Sequence, residues 1–195
     1  MVLPIVAYGD PVLRKVCEPI QKDYPKLKEL IANMFDTMYS SSGVGLAAPQ
    51  IGKPIRLFVI DTEPFSQDED LLETEKEFLS NFKKVFINAR IIEEKGDEWT
   101  FNEGCLSIPG VNEDVKRKGT IVVEYQDEQF NLHQQTFSGL AARVIQHEYD
   151  HIEGILFTDK LSSFKKQLLK GKLTNISKGK VSVRYRMHFP DQKKR

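Results

Sequence analysis

The chain is poor in cysteine, in long apolar runs and in net charge, and each lack removes a class of protein. Cys17 and Cys105 are the only two cysteines in 195 residues, too few for a disulfide framework and expected to persist as thiols in a reducing compartment. No apolar run approaches the roughly 20 residues that a membrane-spanning helix needs, so a membrane bundle is disfavoured. The opening MVLPIVAYGDPVLRK has no basic residues ahead of its few apolar ones, unlike a secretory signal, so a cytoplasmic protein is expected. Internal repeats and low-complexity tracts are also missing. The 28 basic and 28 acidic residues cancel, which as an average argues against a protein built wholly around a polyanion.

What remains is ordinary for a soluble globular chain, with 40% hydrophobic and 29% charged residues. At about 150 residues per domain, a single domain over residues 1–195 is expected, with 160–195 as a basic extension of it. The neutral average hides a split. Residues 160–195 hold 12 basic residues and one acidic, a charge of +11, whereas residues 1–159 carry 16 basic and 27 acidic, or −11.

Along the chain, Leu27, Leu30, Ile31, Met34, Phe35 and Met38 recur at spacings of three and four. This is the stripe of an amphipathic helix, with Asp23 as N-cap, Pro25 in its first turn and Gly43 as its stop. The glycine-rich GVGLAAPQIG, residues 43–52, reads as irregular backbone fitted against something. RLFVID, 56–61, reads as a buried strand. Residues 61–80 carry eight acidic residues and one lysine and read as a solvated insertion. A strand begins near Val85, and GTIVVEYQD with FNLHQQTF forms a hairpin about Asp127 and Glu128. Ser138 caps a second helix that ends at Gly154. A short basic helix follows, and KVSVRYRMHF alternates as a period-two strand. The fold class is α+β, with largely antiparallel sheets packed around a central helix, an amphipathic N-terminal helix and a C-terminal helix plus strand.

That central helix carries the sharpest chemical signal, His147-Glu148-Tyr149-Asp150-His151, an HExxH pattern. Four helical residues advance 400°, so the two imidazoles lie about 40° apart in azimuth and about 6 Å apart along the axis, and one cation can be gripped by both. Glu148 stands beside such a cation, placed to take a proton from water. A catalytic site of this kind needs a third protein ligand. In the extended pattern HExxHxxGxxH the position after Gly154 that should bind is Phe157, which cannot. Glu153 faces about 200° away from His151, and no glutamate follows it. Only upstream residues can complete the site, and Cys105, in EGCLS beside Gly104, is the best candidate because a cation depresses the pKa of a thiol. Cys17 reads as a small core residue near Leu13 and Val16, and His133 and His188 as strand-surface residues.

GVGLAAPQIG at 43–52, EGCLS at 103–107 and QHEYDH at 146–151 resemble the three motifs of peptide deformylases, in the same order. The resemblance extends over most of residues 4–162. It implies that Cys105, His147 and His151 hold one divalent metal ion, Fe(II) in cells with zinc, nickel or cobalt competent to replace it. It implies removal of the N-formyl group from the formylmethionine of nascent chains: metal-bound water attacks the formyl carbon, and Glu148 acts as general base and then acid. The side chain of Gln50 and the N–H of Leu106 match the family's donors to the developing oxyanion. The peptide would pair with the backbone around Val44 and Gly45, its methionine in a pocket near Val44, Leu106, Leu140 and Val144. Arg143 stands where the family often has an apolar residue, its guanidinium expected at the pocket rim. The partners expected are N-formylmethionyl nascent peptides and, through the basic tail, ribosomal RNA, with no membrane. Two other readings stay open on the residues alone, an amidase for some other acylated amine and a purely structural metal site.

Overall fold

Side chains alternate across a strand, and the third strand of the fold uses both of its faces. The computed structural model describes residues 1–191. Its elements in chain order are β1 (Ile5–Val6), α1 (Leu27–Ser40), β2 (Gly45–Ala47), β3 (Leu57–Asp61), α2 (Glu73–Ser80), β4 (Lys83–Gly104), β5 (Asn112–Gln126), β6 (Leu132–Ser138), α3 (Gly139–Ile152), α4 (Ser163–Ser177) and β7 (Met187–His188). Strands β2-β3-β4-β5-β6 form one antiparallel sheet in that order, and β1 pairs with β7 in parallel. Leu57 and Val59 of β3 pack toward Leu30, Ile31, Met34 and Met38 of α1. Phe58 and Ile60 pack toward Ala141, Ala142, Ile145 and Ile152 of α3. The sheet therefore lies between the two helices. A third core gathers Val6, Leu13, Ile108, Phe157, Leu173 and Ile176 beneath α4.

α3 is buried nearly all round, from Leu140 through Gln146 and again at Glu148, Asp150, His151 and Ile152. Buried polar groups ordinarily find partners, so those on this helix that find none among the described residues mark where chemistry can sit. Gly154 ends it in a left-handed conformation (φ 72°). A side chain there would also collide with the Arg14 backbone, its Cβ 2.7 Å from the carbonyl oxygen.

Several sequence expectations give way. α1 starts at Leu27, not near Asp23, because Lys26 adopts a left-handed φ of 56° and only the residues after it can be helical. The chain leaves α1 through Ser42 (φ 56°) rather than through Gly43. Ser138 occupies the N-cap position of α3 without a side-chain cap, its backbone still extended at the end of β6. The acidic stretch is not a bare loop. It holds a 3₁₀ turn, Glu63–Gln67, and α2, anchored by buried Leu79 and by Thr62 Oγ1 donating to Leu79 C=O at 2.8 Å. The alternation over 181–189 persists in burial, but only Met187–His188 is a strand, since β1 offers it just two partners. A Cβ at Gly104 would lie 2.7 Å from the side-chain nitrogen of Asn112, its cross-strand neighbour.

Candidate active site

Cys105, one residue past β4, meets the two histidines of α3. Their ligating atoms lie within 4.8 Å of one another, with Cys105 Sγ 3.3 Å from His151 Nε2. The imidazole rings stand 5.1 Å apart and nearly perpendicular. One thiolate and two imidazoles suit a first-row divalent ion. His151 Nδ1 is buried and finds no partner among the described residues. Burial, then the charge of His147, push His151 well below its ordinary pKa, toward the neutral form that ligates. For His147 burial acts in the same sense, but hydrogen bonds with Cys105 and Glu103 outweigh it and raise its pKa. These residues fit a metal ion.

Sequence reasoning missed what holds His147. Its Nδ1 lies 3.0 Å from Glu103 Oε2. Burial alone would raise the Glu103 carboxyl, yet the hydrogen bonds from Arg117 and His147 hold it well below the usual range. An ionised carboxylate only accepts, so the proton sits on Nδ1 and Nε2 is left to ligate. Arg117 grips Glu103 through Nε at 2.7 Å and Nη2 at 2.9 Å, and reaches Asp150 Oδ2 through Nη1 at 2.6 Å. Arg143 Nη1 adds a third cationic contact to Glu103 at 3.0 Å. Arg143 is thus not at a rim. It is 2% exposed, donates to the carbonyls of Val115 and Trp99, and lies 4.4 Å from the centre of the Trp99 ring. Its burial follows from Glu103, whose charge needs compensation inside the protein.

Glu148 is buried, with Oε2 unpartnered among the described residues. Burial pushes its carboxyl up to about 7. Gly45 makes room for it, because a Cβ there would fall 2.4 Å from Glu148 Oε1. Gln50 is fixed by its Oε1, which accepts from Ala47 N–H at 2.8 Å. Its Nε2 then points at Ser107 Oγ (3.3 Å) and Cys105 Sγ (3.6 Å). Nothing among the described residues accepts from the Leu106 N–H.

A cleft of about 730 Å³ opens over these groups, and Val44, Gly45, Leu106, Arg143 and Val144 line it. Leu140 does not. It is buried two turns of α3 before His147, short of the cleft. Phe65 of the acidic stretch and Phe101 of β4, in edge contact at 6.3 Å, line it as well. So does Tyr185 of the C-terminal segment. No sequence signal marked these three. Glu153 lies away from the cluster, paired with Arg56 at 2.6 Å. Cys17 is buried in the α3-side core, while its neighbour Val16 is exposed. Among the described residues no helix is long and apolar enough to cross a membrane.

The sequence model of the polypeptide deformylase family matches residues 2–167. A peptide deformylase of Christiangramia forsetii is 66% identical over 194 residues, covering 100% of this chain and 99% of that protein. One from Flavobacterium johnsoniae is 63% identical with the same coverage. Among solved structures, a peptide deformylase from Legionella pneumophila superposes with a TM-score of 0.77 at 37% identity, covering 92% of this chain and 98% of that one. A Plasmodium falciparum peptide deformylase solved with an inhibitor gives 0.73 at 32%, covering 88% and 97%.

Proposed function

The chain belongs to the peptide deformylase family, and from that premise we propose how its own residues carry out the reaction. It is a metal-dependent hydrolase that removes the N-formyl group from nascent peptides. In our reading Cys105, His147 and His151 hold the ion, Fe(II) in cells, with zinc, nickel or cobalt competent. The bound ion supplies Lewis-acid polarisation and lowers the pKa of a water beside it toward about 7.

Glu148 takes the proton from the attacking water, holds it on its carboxyl, and delivers it to the nitrogen of the departing amine as formate is released. Gln50 Nε2 and the Leu106 N–H stand as preset donors to the formyl oxygen as its charge grows. Val44 and Gly45 pair with the extended peptide backbone, and Val44, Leu106 and Val144, with the stem of Arg143, wall the methionine side chain. The observation that carries this reading is the buried Glu148 carboxylate, set against bare Gly45 beside three metal-ligating atoms and with one oxygen unpartnered. A structural metal site would have no use for it, and would close with four ligands.

The test compares formyl-Met-Ala-Ser with acetyl-Met-Ala-Ser on Fe(II)- or Ni(II)-loaded protein, together with metal analysis after anaerobic purification. Turnover of the formyl peptide alone is expected. Equal turnover of both would mean a general amidase.

We further propose that the protein works in the cytoplasm, as one domain over 1–195 whose basic extension meets the ribosome. α4 supports that contact with exposed Lys166 and Lys170, one turn apart on one face of the helix. Binding carried by phosphates falls steeply with salt. The double substitution Lys166→Glu and Lys170→Glu is expected to abolish cosedimentation with ribosomes, and unchanged cosedimentation would remove this contact.

A further inference from the structure

The family match ends at residue 167, yet residues 182–185 line the same cleft as Gln50, Leu106 and Glu148. β7 carries the segment there. Ile5 N–H donates to Arg186 C=O, and Ala7 N–H to His188 C=O, each at 2.9 Å. Along it Val183, Tyr185 and Met187 are half-buried, while Ser182, Arg184 and Arg186 are exposed. Tyr185 and Leu106 pack against the same α1-side core.

The Tyr185 hydroxyl donates to the Leu106 carbonyl oxygen at 2.7 Å. Burial pushes this phenol up to about 12, so it stays a donor at neutral pH. On its other side Leu106 is held by Gly43, where a Cβ would fall 2.8 Å from Leu106 Cδ1. Side chain and carbonyl are thus both clamped, and they flank the α-carbon that also bears the N–H. Donors aimed before the charge appears are what oxyanion stabilisation requires, since none then has to turn during the reaction.

We propose that Tyr185 is a positioning residue for deformylation, acting through Leu106 to hold its N–H toward the formyl oxygen. This rests on the reading of Leu106 N–H as an oxyanion donor. The C-terminal segment is then part of the substrate cleft.

The test is Tyr185→Phe in the full-length, metal-loaded protein, which keeps the ring and deletes the hydroxyl. Turnover of formyl-Met-Ala-Ser is expressed per mole of bound metal, and thermal unfolding is followed alongside. The expected result is a fall in kcat of about fivefold, the scale of one hydrogen bond, with KM, metal content and unfolding midpoint little changed. Wild-type protein in the same assay tests the proposed reaction separately: no turnover there defeats deformylation itself. With wild-type turnover intact, an unchanged kcat in the variant overturns the role of Tyr185 alone. So does a change confined to KM, or a loss that follows metal content or the folded fraction.

Discussion

Glu103 Oε2 and His147 Nδ1 lie 3.0 Å apart, joining the strand that delivers the thiol to the helix that delivers both imidazoles. The contact fixes the tautomer of His147, and Arg117 and Arg143 in turn hold Glu103. Second-layer partners of this kind tune metal affinity as well as geometry.

Glu103→Gln is therefore expected to weaken metal binding by about 10- to 100-fold, measured by competition with a chromophoric chelator. It also leaves the buried Arg143 guanidinium with no carboxylate and Arg117 with Asp150 alone, so urea unfolding should show a loss of about 3 kcal/mol.

Glu148→Ala should retain the metal and lose turnover by about a thousandfold. Because Glu148 Oε2 is buried without a partner among the described residues, the variant is expected to unfold at a higher temperature than wild type. Residual activity near the wild-type level would transfer the proton-carrying role to another group.

Gly45→Ala tests the space that the reaction needs. The added methyl would stand 2.4 Å from Glu148 Oε1, and Glu148 must swing away. The expected outcome is full metal content by elemental analysis with kcat reduced about a hundredfold.

Asp159 supplies a pH-dependent contribution to stability away from the metal. Burial acts to raise its carboxyl, but the hydrogen bonds from Arg14 and from Leu156 N–H prevail and lower it from its ordinary 3.8. A depressed folded-state pKa gives stability that is present above pH 3.8 and lost as pH falls through the lower folded value. Asp159→Asn should accordingly unfold more easily than wild type at pH 7, with the gap in urea midpoint closing at acid pH.

The sequence carried the catalytic helix because HExxH has its own geometry: an i, i+4 pair must share a helix face wherever it occurs. Cys105 was the best upstream candidate for a third ligand because Glu153 faces the wrong way, no glutamate follows it, and a thiolate is a strong ligand. The Glu103–Arg117–Asp150 network was illegible for the opposite reason. Its members are single charged residues far apart in sequence, and NEDVKRKG has the composition of a solvated strand. Arg143 read as a rim residue on the same logic, since only the fold shows that Glu103 is already inside. α2 was hidden because few of its residues are buried, so acidic composition dominated the pattern. The KVSVRYRMHF alternation was real, but a ladder needs a partner as long as itself, and β1 is two residues long.

The β1–β7 pairing also has a kinetic side. It ties Ile5 to Met187, one of the widest loop closures the chain makes, whereas β4, β5 and β6 meet through short turns. Closure entropy grows with loop length and must be met before such a contact gains anything, and nonlocal parallel pairing is slow for that reason. The long hairpins and α3 are thus expected to assemble first and the terminal ladder last. The wall of the cleft that contains Tyr185 then arrives at the end of folding. It is also the part that local unfolding would release first.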